Sequence, residues 1–347
     1  MVEMMMARTA TYKDAGVDLE AAKAAKKRIS ELAKLTFSSK VVGNIGSYGG
    51  LFQVSKDKIL VSSTDGVGTK VKLAFLSGRH DTVGQDLVNH CVNDIVVMGA
   101  TPLFFLDYIG LGTLEPDVVE SLVGGFAAAC KENNCALIGG ETAQLPGLYR
   151  PGEYDLAGFI VGEVKPSSVL DGSKIRPGDV LIGLPSSGLH TNGYSLALKV
   201  LLEDKGMSIS DRPAGLGCAL GESLMKVHTS YLPAAAALHR ANVQIHGLAH
   251  ITGGSFFKNV GRILPKGVRA AIHKKCWNVP PIFSLIQKAG NISEQEMFKV
   301  FNMGIGFIVI VPASGSGKSL KALKAVFPSA SIIGEVQKGS GDVILDH

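Results

Sequence analysis

Residues 59–70, ILVSSTDGVGTK, run apolar into Ser-Ser-Thr-Asp and then open at Gly66 and Gly68 before reaching Lys70. An apolar run bounded by Asp-Gly predicts a strand, here one that delivers hydroxyls, a carboxylate and an ammonium to a glycine turn. Two uses fit. Gly66 and Gly68 leave backbone N–H groups open to a phosphate, Lys70 adds a cation, and Asp65 offers a hard oxygen to a divalent metal. Asp-Gly is also the strongest short hairpin signal, so a plain turn fits the same letters.

The second decisive stretch is residues 90–102, HCVNDIVVMGATP. It closes a helix expected over 82–98, with Thr82 available near the N-cap. At about 100° per residue, Asp86, Asn89, His90 and Asn93 share one side, with Asp94 at its border. Val83, Leu87, Cys91, Ile95 and Met98 share the other. A solvated face normally carries Lys, Glu and Arg. Short Asp, Asn and His side chains suit a confined polar site, or a face that hydrogen-bonds a neighbouring loop. A third carboxylate, Glu141, follows Gly139-Gly140. An unpaired carboxylate in apolar company is costly unless it meets a cation, so Asp65, Asp94 and Glu141 together point to a metal-nucleotide site.

Outward from these stretches, strands are expected at 52–54, 59–64, 103–109, 136–138 and 154–164, with helices at 17–34 and 116–133. Residues 1–16 read as a flexible lead, and 40–50, KVVGNIGSYGG, as a glycine loop. The turn-rich segment 166–177 marks a boundary. Beyond it, strands are expected at 179–185, 246–251, 268–273, 307–311, 331–337 and 343–345. Helices are expected at 194–203, 219–227, 231–241, 255–264, 281–289, 293–300 and 318–326. Strands and helices mix without strict alternation, which predicts an α+β (mixed α/β) chain of two domains, 1–168 and 169–347.

Several loops carry candidate chemistry. SSGLHTNG, 186–193, turns from strand to helix and presents Ser187, His190, Thr191 and Asn192, either as an anion and proton-transfer site or as a capped turn with a surface histidine. HITGGS, 250–255, opens a helix with Gly253 and Gly254, another anion cradle. His246 and His250 lie four apart, but no Glu follows His246 and the segment reads as a strand, which excludes a zinc-protease motif. SGSGKS, 314–319, mimics a phosphate-binding P-loop, yet Pro312 stands where the motif needs its first glycine, so Lys318 is set aside.

The totals bound the function. With 46% hydrophobic and 19% charged residues the chain is an ordinary globular one. Its 42 glycines sit in short clusters that end apolar runs, as glycine loops do. The net charge of +5 concentrates at Lys23, Lys26, Lys27, Arg28 and Lys34, a solvated helix face or an attractor of polyanionic small molecules. One Trp and 6% aromatics argue against nucleic-acid stacking platforms. Five cysteines without a CxxC pair read as free thiols in a reducing, cytoplasmic setting. No run approaches the ~18 uninterrupted apolar residues of a membrane span.

Taken together, these motifs resemble the phosphoribosylformylglycinamidine cyclo-ligases, the aminoimidazole ribonucleotide synthetases of purine biosynthesis. The similarity is carried by TYKDAGVDLEA (11–21), STDGVGTK (63–70), HDTVGQDLV (80–88), VNDIVVMGATPLFFLDY (92–108), GGETAQLPG (139–147), YDLAGFIVG (154–162), SSGLHTNGYSL (186–196), HITGG (250–254) and FNMGIGF (301–307). The Asp94-to-Pro102 signature is shared by a wider superfamily; TYKDAGVD and PLFFLDY narrow the match.

The resemblance implies a homodimer whose N-terminal four-stranded sheets join into a β-barrel, with a mixed-sheet C-terminal domain. It implies ATP and Mg²⁺ as cofactors. ATP would phosphorylate the formyl-derived oxygen of formylglycinamidine ribonucleotide, and an internal nitrogen would close the ring as phosphate leaves. Carried over residue by residue, Asp65, Asp94 and Glu141 become magnesium ligands. Gly43, Asn44, Gly46, Thr64, Gly66, Thr69 and Lys70 become nucleotide contacts, and Ser187, His190, Thr191 and Asn192 hold the phosphoryl group or substrate. Gly253 and Gly254 hold the ribose 5-phosphate, and His190, Asp94 and Asp65 form the catalytic set. The chain departs from the family pattern at Ser255 (usually Gly), Leu189 (usually Pro) and Ser30 (usually basic), the last leaving Lys27 or Lys34 as substitutes. Rival readings are thiamine-monophosphate kinase, a hydrogenase maturation factor, selenophosphate synthetase, and a non-catalytic nucleotide-binding regulator. The third of these expects a cysteine near the N-terminal glycine loop, whereas the first here is Cys91.

Overall fold

A computed structural model describes residues 9–43 and 45–346. The first half runs α1 (Leu19–Lys34), β1 (Val41–Val42), β2 (Gly50–Ser55), β3 (Lys58–Gly66), α2 (Val71–Ser77), α3 (Asp81–Val96), β4 (Thr101–Leu111), α4 (Pro116–Glu132), β5 (Ala136–Gln144) and β6 (Tyr154–Val164). Its strands form one sheet in the order β1-β2-β3-β6-β4-β5. The sheet thus has six strands, not four. Short β1 extends one edge, and β5 continues through Gly139-Gly140-Glu141-Thr142, where the sequence reading had ended it at 138, by pairing in parallel with β4.

The second half runs β7 (Val180–Pro185), α5 (Tyr194–Leu198), α6 (Leu220–Leu224), α7 (Leu232–Arg240), β8 (Gly247–His250), α8 (Ser255–Gly261), β9 (Val268–His273), α9 (Pro281–Gly290), α10 (Glu294–Val300), β10 (Ile305–Val311), α11 (Ser316–Lys324), β11 (Ser331–Lys338) and β12 (Val343–Asp346). Its sheet order is β12-β9-β11-β7-β10-β8, antiparallel except for the β9–β12 pair. The long helix expected over 194–203 is α5 followed by a π-helical stretch, Lys199–Asp204. The mixed α/β class is as the sequence indicates.

The organising element is α3. Its apolar side packs on the first sheet through Val83, Leu87, Cys91 and Ile95, all with no exposed surface. Burying each such side chain stabilises the fold by about 1.5–3 kcal/mol. The approach of α4 is close enough to require glycine, since a Cβ on Gly125 would lie 2.1 Å from the Asp81 carbonyl oxygen. The polar side of α3 is sealed by the second half. Asp86 accepts from the His228 N–H at 2.7 Å, Asn89 donates to the His228 carbonyl at 2.8 Å, and Asn93 holds both the Thr229 carbonyl and the Tyr231 N–H at 2.8 Å. Of Asp86, Asn89, His90, Asn93 and Asp94, three therefore serve the neighbouring loop, and His90 and Asp94 line the cavity described below.

Residues 9–16 are not a free lead. Ala10 N–H donates to the Gly290 carbonyl at 3.2 Å, and Tyr12 N–H to Glu296 at 3.1 Å, which ties the segment to the second half. Among the described residues no helix is long and apolar enough to cross a membrane.

Candidate active site

Asp65 sits at the end of β3, where its Oδ1 accepts the Gly66 N–H at 2.8 Å and its Oδ2 lies 2.8 Å from His90 Nε2. Asp94, one turn beyond His90 on α3, has Oδ1 at 2.8 Å from His250 Nδ1, and its Oδ2 accepts from Ser63 at 3.2 Å. β3, α3 and β8 thus bring two carboxylates and two histidines to one place.

The two carboxylates are joined through the protein. His90 Nδ1 lies 2.6 Å from Thr191 Oγ1, Thr191 Oγ1 lies 3.3 Å from His228 Nδ1, and His228 Nε2 lies 3.0 Å from His250 Nε2. From Asp65 to Asp94 this makes five consecutive hydrogen bonds, each needing one proton. Three neutral imidazoles and one hydroxyl carry only four, so the chain closes when one histidine holds an extra proton. Burial works against charge on His90, but the adjacent Asp65 carboxylate overcomes it and raises His90 to about 9. Burial pushes His228 well down, aided by its histidine neighbours, and also lowers His250 despite its Asp94 partner. The extra proton therefore sits on His90. Every bond then points one way: His90 donates from both nitrogens, Thr191 donates to His228, His228 to His250, and His250 to Asp94. Burial raises the Asp65 carboxyl, but His90 more than offsets this and holds it below its usual range.

A cavity of about 1040 Å³ opens on this cluster, lined by Asp65, His90 and Asp94 on its floor and by Asn192, Thr252 and Gly253 on one wall. Lys26, Lys27, Ser30 and Lys34 of α1 form another wall with Lys258 and Arg262, the latter 4.4 Å over the Tyr48 ring. Gly46 lines it too. A smaller chamber of about 270 Å³ shares Asp65, His90 and Asn192 and adds Tyr12, Gly66, Thr69 and Thr191. Five Lys and Arg side chains, offset by Glu31 alone on the walls, stand around the Asp65 and Asp94 carboxylates, which makes a site for a polyanion and a hard divalent cation.

Other expected site residues fall elsewhere. Lys70 is sealed at 0% exposure, 2.7 Å from Asp86 and from the Lys226 carbonyl. It neutralises a buried charge and does not line either chamber. His190 is also at 0% exposure, in a left-handed backbone (φ 63°), with Nε2 accepting the Ser187 N–H at 3.2 Å and its ring stacked 4.0 Å from His228. Burial and the surrounding cations hold it well below the ordinary histidine value. It is a neutral inner histidine behind Thr191, and His90 is the one that faces the cavity. Ser187 turns inward to donate to the Val227 carbonyl at 2.6 Å.

Strand parity puts Glu141 on the opposite face of the sheet from Asp65. Asp65 pairs opposite Gly158, Gly158 opposite Asp107, and Asp107 opposite Gly140. Glu141 stands one residue further along β5, opposite Tyr108, so its side chain is on the outer, exposed face. Thr64 shares that outer face and donates to the Gly158 carbonyl at 2.8 Å. Gly43 is exposed with φ 81°, Gly254 caps α8 with φ 95°, and Asn44 lies outside the described residues. Lys318 is exposed and lines neither chamber. His246 pairs with Asp179 at 2.7 Å, away from the cluster. The sequence reading missed His228, which falls in a gap between expected helices and gives no local signal.

The chain matches two family models, the AIR synthase related protein N-terminal domain over residues 46–164 and its C-terminal domain over 176–347. It is 51% identical to the phosphoribosylformylglycinamidine cyclo-ligase of Syntrophotalea carbinolica, covering 95% of each chain. It is 50% identical to that of Citrifermentans bemidjiense (94% and 95%) and 48% identical to that of Alkaliphilus metalliredigens (96% and 97%). Among solved structures it shares the fold of thiamine-monophosphate kinase from Stenotrophomonas maltophilia K279a, with TM-score 0.62, 18% identity and coverage of 92% and 95%. The hydrogenase maturation protein HypE in complex with ATP aligns with TM-score 0.61, 19% identity and coverage of 82% and 81%.

Proposed function

The chain belongs to the phosphoribosylformylglycinamidine cyclo-ligase family, and from that membership we propose how its own residues serve the reaction. The enzyme closes the imidazole ring of aminoimidazole ribonucleotide from formylglycinamidine ribonucleotide at the expense of ATP, in purine biosynthesis. One observation carries the assignment of residues: Asp65 and Asp94 share the floor of a cavity whose walls are cationic.

Mg²⁺ fits the donor set. Asp65 and Asp94 offer hard carboxylate oxygens, and His90 and His250 orient them from behind, as outer partners of metal ligands do. Bound there, the ion would neutralise the charge of a phosphoryl group in transfer. Lys26, Lys27, Lys34, Lys258 and Arg262 would bind the triphosphate and the ribose 5-phosphate, with Gly253 leaving backbone room beside Asn192. Lys27 and Lys34 stand on the same wall as Ser30, so they can supply the charge that Ser30 lacks. Thr191 and Asn192 face the smaller chamber and would position the substrate. The cationic His90 keeps Asp65 ionised and beside the ligand. No nucleophilic side chain is required, because the attacking nitrogen belongs to the substrate and the leaving group becomes phosphate.

We place the domain division at 168/169, between the two sheets, and the protein in the cytoplasm as a homodimer acting on small molecules. The outer face of the first sheet supports the dimer: Phe52, Val54, Tyr108, Ile138 and Phe159 are 37–59% exposed there. An apolar sheet face of that kind needs a partner. The direct test supplies formylglycinamidine ribonucleotide and Mg-ATP and follows the aminoimidazole product and ADP. ATP binding without product would instead indicate a non-catalytic regulator.

A further inference from the structure

His228 is fixed through both its backbone and its ring. Its backbone is pinned at both ends by α3, through Asp86 to its N–H at 2.7 Å and Asn89 to its carbonyl at 2.8 Å. Its ring is buried at 0% exposure and stacked on His190 with centroids 4.0 Å apart. It lines neither chamber of the active site. Its two ring nitrogens nevertheless meet the two arms of that site. Nδ1 is 3.3 Å from Thr191 Oγ1, whose other neighbour is His90, and Nε2 is 3.0 Å from His250 Nε2, whose other nitrogen meets Asp94. Thr191 lies before α5, His250 ends β8, and His90 and Asp94 are on α3. His228 thus stands in the middle of the hydrogen-bonded path from Asp65 to Asp94.

We infer that His228 is a positioning residue that couples the two carboxylate arms, fixing the direction of the Thr191 hydroxyl and of the His250 ring without touching substrate. The inference rests on the reading of Asp65 and Asp94 as the metal-holding pair. The physical ground is geometric. His228 sits between Thr191 and His250 in an unbroken series of hydrogen bonds from His90 to Asp94, and such networks stiffen cooperatively. Without the central imidazole, the Thr191 hydroxyl loses its inner partner and His250 Nε2 is left buried and unpaired, each held from one side only, by His90 and by Asp94. The arms then no longer share one geometry.

The test compares His228→Leu with His228→Gln. A glutamine amide can accept from Thr191 and donate to His250 in the same sense as the imidazole. His228→Leu is expected to lower kcat on the order of 10–100-fold with KM values held within about twofold, and His228→Gln to recover most of the loss. Equal loss in both variants, a loss confined to KM, or an unchanged kcat in a folded His228→Leu protein would overturn the inference. A second arm needs neither activity nor the leucine variant. In the metal-free wild-type chain, the downfield proton resonance of His250 Nδ1–H is expected to shift on Thr191→Val. In His228→Gln that shift is retained, since the amide still relays from position 191 to His250. No shift in the wild-type background sinks the coupling. Wild-type protein that forms no product sinks the ring-closure reading instead, and the resonance still reports on the coupling.

Discussion

Lys70 Nζ lies 2.7 Å from Asp86 Oδ2, and both side chains are closed to solvent. The lysine that ends STDGVGTK therefore serves the seam between the two halves of the chain, where it also holds the Lys226 carbonyl at 2.7 Å. Lys70→Met leaves Asp86 as a buried charge without a counter-ion, and a loss of about 3–5 kcal/mol is expected. Lys70→Met combined with Asp86→Asn should recover most of it, because asparagine keeps the oxygen that accepts the His228 N–H. Urea denaturation of the wild type and the two variants checks this. A stable Lys70→Met protein with weakened ATP binding would return Lys70 to the nucleotide site.

The histidine cluster makes stability fall on both sides of a pH near 6.5. His90 has a folded value of about 9 against ~6.5 unfolded, so its contribution is complete below ~6.5 and is lost as pH rises to about 9. The total is on the order of 3 kcal/mol. His190, His228 and His250 are all held below the ordinary value, so the folded chain keeps them neutral while the unfolded chain takes up their protons below ~6.5. Stability therefore also drops on acidification, by up to ~4 kcal/mol per pH unit for three protons. Thermal unfolding of the metal-free protein across this range is the measurement. In His90→Gln the alkaline limb should disappear; its persistence would place the extra proton elsewhere.

Much of this was legible because α3 carries two messages in one helical repeat. Its apolar stripe located the first sheet, and its short polar residues announced a confined environment. What the repeat could not divide was that polar face. Asp86, Asn89 and Asn93 answer a loop from the second half, while His90 and Asp94 line the cavity, and only the position of residues 226–231 separates them. That Lys70 and His190 line neither chamber was hidden for a related reason. A cation after a glycine turn and a histidine in a hydroxyl-rich loop look alike whether they point into a cavity or a seam. Glu141 falls on the outer face by one residue of parity, because β5 continues through it. His228 acts only through partners distant in sequence, so no local pattern could reveal it.

The turn before α11 has a strand before it and a lysine, Lys318, in the first turn of the helix after it, yet that lysine is exposed and apart from the cavity. Lys318→Ala should leave ATP affinity unchanged within about twofold, as expected for a side chain that contributes no binding energy. Equilibrium binding of an ATP analogue checks it, and a large loss would revive a second nucleotide site there.

The outer face of the first sheet places Phe159 of β6 between Thr64 of β3 and Leu106 of β4, with Phe159 43% exposed. If two such faces close on one another, a charge at the centre is buried without a partner. Phe159→Glu should shift the protein from dimer to monomer in sedimentation velocity while retaining its secondary structure. A wild-type chain that sediments as a monomer at every concentration would remove the dimer from the reading.

Asp65 and Asp94 differ in exposure, and that difference separates their expected variants. The Asp65 side chain is 41% exposed and that of Asp94 is 12%, so Asp65 has more room for water around any bound ion. Asp→Asn at either position removes a negative ligand and should abolish turnover at ordinary magnesium concentration, because phosphoryl transfer relies on the metal for charge neutralisation. Raised magnesium should partly restore Asp65→Asn, where water can replace the lost oxygen. Restoration should be weaker for Asp94→Asn, whose more confined carboxylate also receives the His250 hydrogen bond. Turnover measured across a magnesium titration decides the matter. Near-normal rates in either variant at low magnesium would show that the carboxylate is not a ligand, and equal recovery of the two would remove the distinction drawn from their exposure.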